Sequence, residues 1–257
     1  MTGGSTGGGA LKASPEEQAR LLDLQAVDLT LAQIEHRRRT LPEIAELTEL
    51  ARRLQALQND LVAAQTEVGD ITREQDKLEA DIDQVRQRMS RDQQRLDTGA
   101  VSSAKELESL QHEIESLGRR QRDLEDVELE VMERLEQTEG RVAGLSTEQQ
   151  RLTDETQATE RRRVDALSGL DKDAEYAAQQ RATIEPGLSA ELIALYDKLR
   201  GQLDGVAAVA ITKRRCGGCQ LELNQTDIER LRSAAEDDVV RCEECRRIQV
   251  RTAESGL

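Results

Sequence analysis

From Leu47 onward, apolar residues return at alternating steps of three and four for about fifty residues, the spacing of one helix face packed against another. Leu47, Leu50, Leu54, Leu57 and Leu61 open this stripe, and Ile82, Val85, Met89 and Leu96 close it. Only Gln75 and Asp92 interrupt it. A second stripe runs from Leu107, Leu110, Ile114 and Leu117 to Leu145 and Leu152. Between them, Asp97–Ser103 is a run of turn-forming residues. Two long stripes joined by a short turn predict an antiparallel helical hairpin. A register that sets Leu96 against Leu107 and Met89 against Ile114 also sets Gln75 against Glu128, so two polar intrusions meet in one layer. The same register sets Gln121 against Ile82, a mismatch.

Pro42 breaks the first arm, because it removes a helix hydrogen bond and clashes with the preceding turn. Before it, Leu21, Leu24, Val27, Leu31 and Ile34 keep a stripe whose phase does not carry across. The second arm shifts phase beyond Thr159, where Val164, Leu167 and Leu170 open a new register. Glu185-Pro186-Gly187 reads as a linker, followed by a short helix over Ser189–Gln202 with Leu192, Leu195 and Leu199 on one face. The expected organisation is a flexible tail over 1–14, a coiled-coil hairpin over 15–183, a linker and short helix over 184–205, and a small module over 206–257.

Composition sharpens this reading. Trp and Phe are absent and Tyr176 and Tyr196 are the only aromatics, so large-ring packing cannot build the core. The formal charge is −15, and it is unevenly placed. Residues 13–183 hold 24 Lys/Arg against 38 Asp/Glu, whereas residues 206–257 hold 9 against 9. An acidic shaft repels nucleic acid and anionic membrane along most of its length; the last module does not. No stretch approaches the roughly twenty apolar residues of a membrane span. Met1–Gly9 lacks the basic and apolar regions of an export signal, and with reduced cysteines this implies a cytoplasmic location.

All four cysteines fall in two Cys-x-x-Cys pairs, Cys216/Cys219 and Cys242/Cys245. Two such turns, separated by roughly twenty residues, complete a tetrahedral site and mark a zinc module. Val206–Ile211, Val239-Val240 and Ile248–Arg251 read as its strands, and the capping box Thr226-Asp-Ile-Glu229 predicts a helix over Asp227–Ala235. Four thiolates leave no open position, so the expected cofactor is one structural Zn2+; iron and a redox dithiol are the alternatives. The fold class is therefore mainly α, a long antiparallel coiled-coil hairpin with a small four-cysteine zinc ribbon rich in β-structure. Lys213, Arg214, Arg215, Arg241, Arg246, Arg247 and Arg251 lie close in sequence to the cysteines. They are candidate phosphate contacts, competing with a simpler role in balancing the site's charge. His36 and His112 have no evident metal or catalytic partner, and no catalytic constellation stands out. The expected class is non-enzymatic.

The tip segment Val101–Ile114, the knuckle Cys216-Gly-Gly-Cys-Gln-Leu-Glu-Leu223 and the knuckle Arg241-Cys-Glu-Glu-Cys-Arg-Arg-Ile248 resemble a widespread bacterial family that joins a coiled-coil hairpin to a C4-type zinc ribbon. The resemblance covers nearly the whole chain after the tail and looks nearest to actinobacterial members. It implies the four cysteines as ligands. Glycine commonly follows the last cysteine in that family; here Arg246 does, which implies strain in the turn. Roles proposed for the family are nucleic-acid or protein binding, including flagellar gene regulation in some bacteria, a role not carried over here. The leading expectation is a binding adaptor with an unidentified protein partner and a DNA or RNA contact through the ribbon. The alternatives are a factor that reaches RNA polymerase through a hairpin tip bearing Asp97, Lys105 and Glu106, and an oligomeric spacer. The sequence leaves the oligomeric state open.

Overall fold

The structure, a computed structural model, describes residues 11–101 and 103–257. Three long helices dominate: α1 (Pro15–Arg39), α2 (Pro42–Asp97) and α3 (Ala104–Ile184). A 3-10 turn (Glu185–Gly187) leads to α4 (Ala190–Gln202). The remainder holds β1 (Ala208–Thr212), β2 (Arg215–Cys216), α5 (Gln225–Ser233), β3 (Val240–Arg241) and β4 (Ile248–Val250). Pro42 is the first residue of α2, where its missing N–H costs nothing, and α1 ends three residues earlier.

The chain forms two compact units. One is Ala45–Arg161; the other comprises the described residues up to Ile44 and resumes over Arg162–Leu257. Within the first, α2 and α3 are the arms of an antiparallel hairpin. Leu61, Ala64, Ile71 and Ile82 of α2, and Leu110, Leu124, Val131 and Leu152 of α3, are buried in the seam. Ion pairs tie the arms together along their flanks: Arg86–Glu125 at 2.7 Å, Arg141–Glu67 at 2.7 Å and Arg134–Glu74 at 3.3 Å. Each is solvent-exposed and worth about 0–1 kcal/mol, so they favour the register more than they hold the arms together. Gln75 and Glu128 are both half-buried, as positions on the seam should be. The Gln75 amide, however, donates to Glu79 one turn along its own helix rather than across. Thr138 resolves its burial the same way, donating to the Arg134 carbonyl at 2.8 Å. Asp92 is buried in the seam with its Oδ2 unpartnered. At the tip, Gly99 takes a left-handed φ of 67° and the Ser103 hydroxyl caps α3 through the Glu106 N–H.

In the other unit the strands form one sheet in the order β2-β1-β4-β3, with β1 parallel to β4 through Ala208–Ile248 and Ala210–Val250. Its core joins helix and ribbon: Leu21 and Leu24 of α1 and Leu192, Tyr196 and Leu199 of α4 pack with Ala208, Ile248 and Val250. Each fully buried Leu or Ile there contributes about 1.5–3 kcal/mol. Two glutamines of α1 then clasp the backbone beyond it. The Gln25 carbonyl oxygen accepts from the Ala207 and Ala208 N–H groups at 2.6 and 3.2 Å, and its amide donates to the Gly205 carbonyl at 2.9 Å. Gln18 donates to the Ala13 and Glu236 carbonyls at 2.8 and 3.0 Å.

Several expectations shift. The tail expected over 1–14 lies outside the described residues up to Ala10; Leu11–Ser14 are instead fixed. Ala13 donates its N–H to the Asp237 carbonyl at 2.8 Å, and Ser14 caps α1 in a capping box with Glu17. The helix expected over Asp227–Ala235 starts two residues earlier, because the Asn224 side chain, not Thr226, accepts from the Asp227 N–H. On α4, Leu195 packs against the core half-buried beside Leu192 and Leu199, and Tyr196, not expected there, is fully buried with them. On α1 Asp28 is buried and Val27 only half-buried; on α3 Val164 is exposed, while Leu167 and Leu170 of the same expected register are half-buried.

Candidate metal centre and the cations around it

β1 enters the first knuckle through a two-residue hairpin, with Thr212 paired to Arg215 and Ile211 to Cys216. The two residues at the turn are Lys213 and Arg214, with φ of 49° and 61°. A turn of this kind needs both in the left-handed region, which normally selects Asn-Gly. Here the carboxy-terminal segment secures it: the Lys213 and Arg214 N–H groups donate to the Glu254 and Ser255 carbonyls, each at 2.8 Å. Gly217 follows Cys216 because no side chain fits. A Cβ there would stand 2.7 Å from the Ala210 carbonyl oxygen, which accepts the Gly217 N–H.

The four thiols converge, with all sulfur atoms within 4.8 Å of one another. Cys216 and Cys245 stand 3.7 Å apart, and Cys219 and Cys242 stand 3.9 Å apart. A disulfide needs about 2.05 Å, so these are not bridges. Four ligands at the usual Zn–S distance of about 2.3 Å in a tetrahedron have edges of about 3.8 Å, which the two separations match. The donor set thus fits zinc. Cys216, Cys219, Cys242 and Cys245 would hold one ion, closing its sphere and fastening the ribbon rather than exposing a reactive position.

The backbone prepares the thiols. Burial pushes the Cys242 thiol up to about 12, opposed by N–H groups of Cys245 and Glu244. Burial also acts on Cys245, but there the Arg247 backbone N–H and guanidinium, with the Cys242 and Cys216 thiols, outweigh it and bring the group down to about 7. A bound dication favours the thiolate at every position.

The seven cations expected to form one patch divide by what they touch. Arg251 donates to the Leu231, Ala234 and Ala235 carbonyls at the end of α5 and to those of Glu236 and Asp238. Arg247 donates to the Val206 and Leu203 carbonyls at 2.9 and 3.3 Å. These two fasten the fold. Arg241 donates to the Arg246 carbonyl and is half-buried; Arg214 donates to the Gly256 carbonyl but stays exposed. Arg246 is exposed, 3.6 Å from Glu243 and at φ 63°, so the strain implied by its replacement of glycine is present. Lys213 and Arg215 are exposed and have no side-chain partner among the described residues.

A polar cluster at the foot of the helices went unread in the sequence. Asp28, with its side chain 2% exposed, accepts from the Tyr196 hydroxyl at 2.7 Å, Arg181 Nε at 3.0 Å and Arg200 Nη1 at 2.5 Å. Burial, reinforced by the Asp28 bond and charge, holds the Tyr196 hydroxyl far above the ordinary tyrosine range. The available signal was an acid beside Leu24 at core spacing on α1 together with a lone tyrosine on α4.

Comparison with known proteins agrees with this architecture. Residues 24–204 match the CT398-like coiled coil hairpin domain, and residues 215–248 match the C4-type zinc ribbon domain. An uncharacterized protein of Mycobacterium tuberculosis is 34% identical over 241 residues, covering 94% of this chain and 98% of that one. One of Mycobacterium leprae is 31% identical over 238 residues, covering 88% and 97%. A solved structure from Mycobacterium smegmatis superposes with a TM-score of 0.81 at 36% identity, covering 94% of this chain and 100% of that one. CT398 from Chlamydia trachomatis shares the fold, with a TM-score of 0.68 at 18% identity over 92% of this chain and 98% of its own. A hairpin match over most of the chain, and relatives aligned almost end to end, place this protein in the CT398-like coiled-coil hairpin family, with a C4-type zinc ribbon following the hairpin.

Proposed function

We propose that this protein is a non-catalytic adaptor that binds a protein partner through its hairpin and a phosphate backbone through its ribbon. A structural or binding role follows from a coiled coil and a closed zinc ribbon. The observation that carries the finer reading is the pair of strained cationic turns. Lys213, Arg214 and Arg246 are three of the five non-glycine residues in the left-handed region among the described residues, beside Asp204 and Gln220, and each such position costs about 1–3 kcal/mol for a side chain where glycine would cost little. Lys213, Arg215 and Arg246 meanwhile project charge into solvent. Such strain concentrates at binding surfaces. With no Trp or Phe to stack on bases, the contact is to phosphates and sequence-tolerant.

Fluorescence anisotropy with labelled single-stranded RNA and duplex DNA, titrated against salt, tests the phosphate contact. The combined variant Lys213→Ala, Arg215→Ala, Arg246→Gly removes three charges, so log affinity should fall and its slope with log salt should shrink by about 2–3. Neither Arg247 nor Arg251 belongs in this variant, because their loss unfastens the ribbon. Absence of binding at low salt, or an unchanged slope in the variant, removes the phosphate contact. The adaptor reading itself is tested by crosslinking in the native host, and recovery of the chain without any protein partner would sink it.

A further inference from the structure

The charge of the Ala45–Arg161 hairpin is not spread along it. Residues 67–83 and 123–139, which the Arg141–Glu67, Arg134–Glu74 and Arg86–Glu125 region brings side by side, hold 15 Asp/Glu against 3 Lys/Arg, a net −12. The distal stretch 84–122 holds 6 against 8, a net +2, and the remaining 45–66 and 140–161 hold 7 against 5, a net −2. The middle band alone therefore accounts for the net charge of the whole hairpin.

That band also carries an apolar step on its outer side. Seam positions on α3 are Leu124, Val131 and Thr138. Leu129 and Met132 lie off this seam and are 59% and 46% exposed. They share a helix face with Glu125 one turn before and with Glu136 and Glu139 one and two turns after, at steps of three and four. With Gln75 of α2 and Glu133 they border a groove of about 360 Å³. A helix surface that needs only solubility gains nothing from exposing a leucine and a methionine together. Methionine, with its unbranched and polarizable chain, suits a surface that adapts to a partner.

We infer that this mid-shaft face docks a cationic amphipathic helix of a partner protein, with two apolar residues one turn apart seated on Leu129 and Met132, and Lys or Arg on its flanks meeting Glu133, Glu136 and Glu139. The inference rests on the adaptor reading and specifies its protein partner. Charge complementarity selects the occupant. A nucleic acid or anionic lipid meets a net −12 band and is repelled, and so is a second copy of this chain, whose own formal charge is −15. Helix-in-groove docking reads anchors at helical spacing, which the exposed pair supplies.

The test uses the full chain and a fluorescein-labelled eighteen-residue-class Lys/Leu peptide (roughly five turns) with leucines on one helical face, beside a scrambled peptide of identical composition. At physiological salt the amphipathic peptide should bind at least about tenfold tighter than the scrambled one. Leu129→Gln with Met132→Gln should remove that preference, while Glu133→Gln with Glu136→Gln and Glu139→Gln should weaken both peptides. All five positions are exposed or flank the seam, and circular dichroism checks that each variant stays helical. Equal binding of both peptides, or an unchanged preference in the Leu129/Met132 variant, overturns the inference. So does sedimentation showing a dimer that this variant dissociates, because the face would then belong to a second copy. If a partner crosslinked in the host is captured equally well by the Leu129/Met132 variant, the adaptor reading stands and this face falls.

Discussion

Replacing Asp28 should loosen the foot of the helices far more than its single carboxylate suggests. Three donors converge on that group: the Tyr196 hydroxyl at 2.7 Å, Arg181 Nε at 3.0 Å and Arg200 Nη1 at 2.5 Å. Breaking a buried ion pair from one side costs about 3–5 kcal/mol, because the other charge is stranded. Here the arginine side chains stay 23% and 39% exposed, and Arg181 keeps Glu185 at 2.6 Å, so Asp28→Ala should fall near the lower end, about 3 kcal/mol. Tyr196→Phe removes one bond to a charged group, nominally about 1.5–3 kcal/mol, and leaves Asp28 with both guanidiniums, so about 1.5 is expected. The double variant should cost about 3 rather than 4.5 kcal/mol, a coupling of about 1.5 between the partners. Two compact units need not melt as one, so hydrogen exchange resolved by segment is the assay. About 3 kcal/mol speeds exchange in α1 and α4 roughly a hundredfold, while the middle of α2 and α3 stays as in the wild type. Exchange in α4 within about threefold of wild type in Asp28→Ala, or strict additivity in the double variant, would refute this account.

Removing zinc with a chelator should expose the amides of both knuckles and α5, while β1 and β4 keep protection through Ala208, Ile248 and Val250 in the shared core; segmental exchange distinguishes this from wholesale unfolding. Gly217→Ala places a Cβ 2.7 Å from the Ala210 carbonyl and should cut zinc affinity at least about tenfold in a chelator competition, whereas Gly118→Ala, with nothing within 4 Å, should stabilise its helix by about 0.5–1 kcal/mol. Asp92→Leu replaces a buried, unpartnered carboxylate oxygen in the seam and should raise hairpin stability by about 1–3 kcal/mol in urea unfolding. Glu17 is held below the ordinary carboxylate range by the Ser14 N–H first, against burial, and by the Ser189 N–H. Its folded value being depressed, the stability it adds is complete above the unfolded value of about 4.3 and is lost as pH falls through the folded one. Acid unfolding monitored at α1 should lose this component in Glu17→Gln.

The hairpin was readable because its determinant is a one-dimensional period. Every third or fourth apolar residue from Leu47 to Leu96 must face something, and the Asp97–Ser103 interruption lets the chain return upon itself. The metal site was readable for a related reason: two short turns of fixed spacing specify four ligands without knowledge of the rest. What did not show was any contact between segments far apart in the chain. Gln25 looks like one more polar helix residue until its amide is found clasping Gly205 and Ala207, and Asp28 gains meaning only from Tyr196 and Arg200. The stripe through Leu21, Leu24 and Val27 ran beside them without including them, and nothing in it said that the core belonged partly to the ribbon.

The cations around the cysteines show where proximity in sequence misleads. All seven lie within a few residues of a ligand or a flanking strand, and charge alone would pool them into one surface. A ribbon this small, however, has more backbone carbonyls at its turns than its short strands can satisfy, and buried carbonyls need donors. The last turn of α5 and the loop beyond it aim five carbonyls at one place, and only an arginine carries enough donors in a fixed plane to meet them; Arg251 does so. Arg247 does the same for Val206 and Leu203. The structural demand is met first, and binding capacity is what is left over. That remainder is Lys213 and Arg246 on left-handed turns and Arg215 on β2, and these are the three exposed charges that the proposed phosphate contact would use.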